Sequence, residues 1–312
     1  MRERNTTCFH ALIIGAAKCG TTSLALWLGA SPDVCLSQPK EPLFFEADFD
    51  RGIDYYWNTY FPHWRGEAVL LEARHRNMFL PYVPERVASV CRSPRMIAVL
   101  RDPVRRAYSH WWHHFIRGHE PLNFEEAIEE DMERISAGID FSGPNGPTTW
   151  AAALPRTRDR LQQRGLTFRT YIDSGYYAAQ IRRYLQFFHF EQLKVLFLED
   201  LVAKPSEKLG SLAHFLTIDQ HQHSLSNQNE AKTTSLRVGK VGRSLVYGRA
   251  AELLPRELRT FFRRALIREE RNMPELTSAI TQELYAHYEP HNHDLERLLD
   301  TRLPPQWYHH AD

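Results

Sequence analysis

Leu12-Ile13-Ile14-Gly15-Ala16-Ala17-Lys18-Cys19-Gly20-Thr21-Thr22-Ser23-Leu24 is an apolar run that ends in a loop opened and closed by glycine. It continues into helix-forming sequence with Leu24, Trp27 and Leu28 as its apolar positions. The pattern predicts strand, loop, helix. Such a junction aims several backbone N–H groups and the positive end of a helix dipole at one spot, which suits a phosphate. Gly15 and Gly20 let the backbone turn tightly and approach a ligand closely. A purely structural junction is the plain alternative.

The Gly-x4-Gly spacing matches the start of the nucleoside-triphosphate P-loop, but Thr21 stands where that motif has lysine. The lysine has moved inside the loop, to Lys18, and is followed by Cys19 rather than the Ser/Thr that would hold magnesium. Ordinary ATP chemistry is therefore disfavoured.

The chain of 312 residues, 43% hydrophobic and 25% charged, has the composition of a globular protein with a sizeable core. A net charge of +1 gives no overall basic character to suggest nucleic acid. The four cysteines, Cys8, Cys19, Cys35 and Cys91, form no Cys-x-x-Cys pair, so neither a zinc site nor a disulfide framework is expected. No bound metal is expected either. The charged, polar start and the shortness of the first apolar run argue against a signal peptide or a membrane span, and point to a reducing, cytoplasmic setting.

Further along, Gln38-Pro39-Lys40-Glu41-Pro42-Leu43-Phe44-Phe45 holds Glu41 on a rigid connection, with Phe44 and Phe45 expected to bury. An aromatic helix is expected over 53–61, short buried strands over 68–72 and 95–100, and a helix over 84–92 with Pro84 near its start. Arg101-Asp102-Pro103-Val104-Arg105-Arg106-Ala107-Tyr108-Ser109 follows the second of these strands. This places Arg101 at a carboxyl sheet edge and Ser109 about two turns into the next helix, where the pair can hold a second phosphate. An Arg-Asp pair that merely ties down the loop is the alternative.

Helices are expected over 124–137, 176–188, 205–216 and 275–300, and a third strand over 193–198. Glu199-Asp200-Leu201 reads as capping and support rather than catalysis. Residues 138–169 read as a long irregular excursion that selects the acceptor. Between Arg237 and Arg271 ten Lys/Arg stand against four Glu, and Leu258, Phe261, Phe262, Ala265 and Leu266 recur at helical spacing. That basic amphipathic helix either packs on the domain or touches a membrane surface. Strands alternating with helices predict an α/β fold with a parallel sheet covered on both faces.

Together these stretches resemble the sulfotransferases that use 3′-phosphoadenosine 5′-phosphosulfate, in the branch of the heparan sulfate N- and 3-O-sulfotransferase domains and their bacterial relatives. Residues 15–24 are similar to the 5′-phosphosulfate loop, residues 40–45 to the segment with the catalytic glutamate, and residues 100–109 to the 3′-phosphate motif. Tyr176-Tyr177 and the run from Val195 to Leu201 also follow the family. Ala73-Arg74-His75-Arg76-Asn77 departs from it and is expected to change the charge of the acceptor cleft.

The resemblance implies a single domain over 1–312. It would be a P-loop-like three-layer α/β/α core, about 8–216, followed by a polar loop and helical extension over 217–312. It implies Glu41 as general base, Lys18 as the cation at the leaving phosphate, and His75 as the rival base. Donor contacts would come from Lys18, Cys19, Gly20, Thr21, Thr22, Ser23, Arg101, Ser109 and Tyr177. The expected acceptor is a saccharide, lipid or natural product, without nucleic acid. A magnesium-dependent P-loop kinase with Asp102 as its metal ligand and a non-catalytic nucleotide-binding module are the competing readings.

Overall fold

The computed structural model describes residues 9–91, 93–117, 119–138, 169–219, 235–237, 268–270 and 276–308. The expected excursion over 138–169 falls almost wholly outside them, as do the basic helix around 255–270 and most of the polar stretch before it.

Five parallel strands form the central sheet in the order β2-β3-β1-β4-β5. They are β1 (Phe9–Gly15), β2 (Val34–Leu36), β3 (Val69–Ala73), β4 (Arg95–Leu100) and β5 (Leu193–Phe197). Ala11 to Ile14 and Met96 to Leu100 are at most 1% exposed, so both faces of the inner strands are covered. This is why they read as unbroken apolar runs rather than alternating ones. β2 was not expected from the sequence: it has three residues between chain breakers and pairs only with β3, from Val34↔Val69 to Leu36↔Leu71. The covering helices include α1 (Thr21–Leu28), α2 (Ile53–Tyr60), α3 (Arg76–Phe79), α4 (Val83–Val90) and α5 (Pro103–Phe115). They continue with α6 (Phe124–Ser136), α7 (Tyr177–Leu185), α8 (Leu198–Ala203), α9 (Pro205–Leu216) and the long α10 (Ser278–Leu299). A two-stranded antiparallel pair joins Ser235–Arg237, in the stretch read from sequence as a polar loop, to Arg268–Glu270, at the end of the basic stretch.

The sheet order places the site. From β1 the chain crosses to the edge strand β2, returns to β3 beside β1, and then passes to the other side for β4 and β5. The loops after β1 and β4, whose strands pair directly, therefore flank the crevice at which ligands bind in open parallel sheets. Segment 37–40 is stitched to the end of β3, Ser37 N–H to Leu71 O at 2.8 Å and Ala73 N–H to Lys40 O at 3.2 Å. Immediately after it, a π-helical turn over Phe44–Asp48 buries Phe44 and Phe45 to 1% exposure each. Burial of each side chain is worth about 1.5–3 kcal/mol, enough to anchor the loop that carries Glu41.

Gly15 closes β1 under α3: a Cβ there would stand 2.6 Å from Met78 Cβ and 3.2 Å from His75 O. Gly15→Ala is accordingly expected to cost about 1–3 kcal/mol by overpacking, read as a lower urea midpoint at unchanged slope. An unchanged midpoint would show that α3 is not seated on this strand end.

Candidate active site

The loop after β1 is built around two left-handed residues, Lys18 (φ 67°) and Gly20 (φ 82°). Gly20 is the N-cap of α1, and no side chain caps the helix and no acidic residue stands in its first turn. The first-turn N–H groups of Thr21, Thr22 and Ser23 have no intrahelical partner by geometry, an arrangement that suits an anion. Lys18 sends its ammonium to within 3.2 Å of His113 Nδ1 on α5. Burial, reinforced by the charges of Arg117 and Arg101, lowers Lys18 to about 8.

Cys19 departs from its expected donor role. Its thiol is fully buried, bonded to Ala17 O at 3.5 Å, and its N–H closes a turn onto Ala16 O. Burial pushes the thiol up to about 11, so it lies inert beneath the loop.

At the end of β4, Arg101 turns toward the same loop, its Nη1 3.4 Å from Lys18 O. Asp102 caps α5 through one carboxylate oxygen, accepting from the Val104 and Arg105 N–H groups at 2.8 and 3.2 Å. Pro103 occupies the first helical position, where its missing N–H costs nothing. Tyr177, buried at the start of α7, donates to Arg101 O at 2.8 Å and lies against the Cys19 thiol. It holds the two loops from behind rather than lining the crevice. Arg106, wholly buried, donates to Tyr171 O.

Ser109 is half-buried, and His113 lies four residues on, hence on the same face of α5. Since His113 meets Lys18, that face looks into the crevice. His113 Nδ1 accepts from Lys18 and also from Arg117 Nη1 at 2.6 Å. Burial and those two cations hold its imidazole neutral, down at about 3. Sequence reading missed His113 and Arg117; the available signal was the Ser109-x3-His113 spacing on a helix already assigned to a phosphate site.

Glu41 forms the other wall. Its Oε1 takes Lys40 Nζ at 2.8 Å and its Oε2 takes Arg74 Nη1 at 3.0 Å, with His75 Nδ1 3.8 Å away and the side chain a third exposed. Burial works to raise its pKa, but the interactions with His75 and Lys40 outweigh it and hold the carboxyl well below the usual range. His75 itself is kept below its ordinary value by burial.

The expected pair of cleft charges at Arg74 and Arg76 is not what the fold makes. Glu46, fully buried in the π-helical turn, binds Arg74 and takes Arg76 Nη1 at 3.2 Å, so much of that charge is matched inside the protein. Glu72 behind them is satisfied by Tyr56 and Asn77, each at 2.7 Å, and burial pushes it up to about 7. The two walls adjoin: the charge of His75 contributes to the depression at His113. Lys18, Arg101, Thr21, Thr22, Ser23 and Ser109 thus gather around one crevice edge, with Glu41 and His75 beside them. Among the described residues no group of three or more His, Cys, Asp or Glu is arranged to hold a metal ion.

The sulfotransferase domain model matches residues 9–298. Over 312 aligned residues, covering 95% of this chain, the chain is 27% identical to the mouse bifunctional heparan sulfate N-deacetylase/N-sulfotransferase 4, of which it covers 31%. It is 26% identical to the human heparan sulfate glucosamine 3-O-sulfotransferase 3B1, across 66% of this chain and 45% of that protein. The chain spans only 23–31% of the length of the mouse N-deacetylase/N-sulfotransferases 1, 3 and 4 that it matches. A solved sulfotransferase from Alicyclobacillus acidocaldarius superposes with a TM-score of 0.61 at 23% identity, covering 95% of this chain and 97% of its own, and so shares the fold. The matched model takes in the phosphate loop, the Glu41 segment and the Arg101 motif alike, and this chain belongs to the sulfotransferase domain family.

Proposed function

We propose that the protein transfers a sulfuryl group from 3′-phosphoadenosine 5′-phosphosulfate to a hydroxyl or amine of a saccharide acceptor. The observation that carries this reading is the meeting of the uncapped α1 terminus, Lys18 and Arg101 at one sheet edge. An anion with two separated phosphate groups fits that cradle. The first-turn N–H groups with the Thr21, Thr22 and Ser23 hydroxyls would hold its 5′ end, and Arg101 with Ser109 its 3′-phosphate.

The donor supplies the sulfuryl group, and the residues supply position and charge. A bond forms between the acceptor oxygen or nitrogen and sulfur, while the bond from sulfur to the phosphate oxygen breaks and leaves its electron pair on the phosphate. Lys18 stands to neutralise that oxygen. Glu41, ionised throughout the working pH range, accepts the acceptor's hydrogen bond and takes its proton as the nucleophile becomes acidic in the transition state. His75, 3.8 Å from Glu41, is placed to orient that carboxylate.

The relatives' names include heparan sulfate, and Arg117, which reaches His113 beside Lys18, supports an acidic saccharide as acceptor. The buried thiols of Cys19 and Cys91 support a reducing, cytoplasmic setting. No helix among the described residues is long and apolar enough to cross a membrane. A kinase reading loses its metal ligand, because Asp102 is wholly buried and committed to capping α5.

Thermal unfolding tests the donor site. With 3′,5′-adenosine bisphosphate at a hundred times its dissociation constant, stability should rise by about 2.7 kcal/mol, a midpoint shift of several degrees that is lost in Arg101→Ala. A shift with ATP and magnesium but none with the bisphosphate would sink the sulfotransferase reading.

A further inference from the structure

The turn that carries Arg101 is gripped from two sides by the carboxy-terminal segment. On one side, Tyr285 of α10 donates its hydroxyl to Asp102 Oδ2 at 2.6 Å, the carboxylate oxygen not used in capping α5. On the other, Trp307 Nε1 donates at 3.1 Å to Glu199 Oε1, and the same oxygen accepts the Asp102 backbone N–H at 3.0 Å. Asp102 and Trp307 are both fully buried. The two arms are joined to each other, since Asn292 of α10 donates to Trp307 O at 3.1 Å and Trp307 packs edge-on against Phe197 and beside Tyr177. Tyr177 in turn fixes the Arg101 carbonyl.

The side chain of Asp102 is thus tied directly to Tyr285, and its backbone through Glu199 to Trp307, next to the arginine assigned to the 3′-phosphate. Without the Tyr285 hydroxyl the buried Asp102 Oδ2 loses its short donor and retains the longer Arg105 Nε contact at 3.6 Å, and without Trp307 the Glu199 carboxylate that holds the Asp102 N–H loses its own anchor; either loss leaves a buried carboxylate less well satisfied and relaxes the turn. A relaxed turn moves the guanidinium that leaves from it.

We propose that Tyr285, together with the Trp307–Glu199 arm, is a positioning residue for the 3′-phosphate: the carboxy-terminal helix sets the geometry of Arg101 and so the preference for a 3′-phosphorylated nucleotide. The inference rests on the sulfotransferase reading and deepens it. It makes α10 part of the donor site rather than an appendage to the core.

The test compares two nucleotides that differ only in the group concerned, 3′,5′-adenosine bisphosphate and adenosine 5′-phosphate, by calorimetry on the full chain. Tyr285→Phe, which keeps the ring and removes the hydroxyl, should weaken the bisphosphate about tenfold and leave adenosine 5′-phosphate within twofold. In an Arg101→Ala background the same substitution should change neither, because its effect passes through Arg101. Equal weakening of both nucleotides, no change in either, or an undiminished effect without Arg101 would each overturn the proposal. Trp307→Phe, which keeps a buried ring but removes the Nε1 donor of the second arm, should likewise weaken the bisphosphate several-fold and spare adenosine 5′-phosphate even if the tyrosine variant folds poorly, and an unchanged bisphosphate affinity there would also overturn the proposal. Failure of the underlying reading looks different: wild type would then show no preference for the bisphosphate over adenosine 5′-phosphate.

Discussion

Glu41→Gln is expected to lower kcat by about 10²–10⁴-fold while 3′,5′-adenosine bisphosphate binds within about threefold of wild type. The substitution is nearly isosteric: the Gln oxygen can go on accepting from Lys40, which now donates to one carboxylate oxygen at 2.8 Å, while the bond from Arg74 to the other oxygen, now 3.0 Å, is given up. Arg74 also keeps its buried partner Glu46, so no guanidinium is stranded. What disappears is a carboxylate that is a third exposed in the crevice, whereas its neighbours Glu46 and Glu72 are sealed inside.

A neutral amide cannot take the acceptor's proton, and the loss should appear in kcat for every acceptor tested rather than in the binding of one. His75→Gln supplies the contrast. Acting by orientation, it should reduce kcat far less than Glu41→Gln does. If instead Glu41→Gln turns over normally and His75→Gln does not, the imidazole is the base and the carboxylate only its support.

The parts of this site that could be read in advance are those whose physics is local. The phosphate loop announces itself because a doubly buried strand must be apolar throughout and the turn out of it needs left-handed residues, met here by Gly20 and by Lys18. Asp102-Pro103 announces a helix start because a capping carboxylate and a ring without an N–H belong at adjacent positions. Glu199 was legible as support, and it does accept the Asp102 N–H.

The contacts that were not legible join residues far apart. His113 meets Lys18 across 95 positions, Glu46 meets Arg74 across 28, and Tyr285 meets Asp102 across 183. Nothing in the local pattern around Arg74-His75-Arg76 distinguishes arginines aimed at a ligand from arginines aimed at a buried glutamate. The carboxylate that claims them sits in a π-helical turn whose own sequence, Phe44-Phe45-Glu46, reads as an apolar anchor. Strand β2 escaped for a different reason, since three residues at a sheet edge carry too little periodicity to register.

Lys18→Met should reduce kcat by about 10²–10³-fold and yet leave the thermal midpoint of the free protein unchanged or higher. The two effects have one cause. The ammonium is partly buried, donates to a neutral imidazole rather than to a carboxylate, and faces the positive charges of Arg117 and Arg101. Those surroundings disfavour its charge, which is why its pKa falls to about 8. A lysine whose folded pKa is depressed binds its proton less readily in the fold than in the unfolded chain. Between about pH 8 and the ordinary lysine range the unfolded state therefore carries more of that proton, and Lys18 makes stability rise with pH across the window. Below it the charged side chain is a standing cost.

Methionine keeps the stem and removes that cost, so stability holds while the charge needed at the leaving oxygen is lost. The same depression predicts that kcat/KM, which reports the free enzyme, declines as pH rises through about 8, and that this limb disappears in Lys18→Arg. A polyanionic donor favours the ammonium and shifts the corresponding limb of kcat to higher pH. A Lys18→Met protein that is destabilised and retains turnover would place the lysine among the structural residues of the loop and leave the leaving phosphate to the α1 terminus alone.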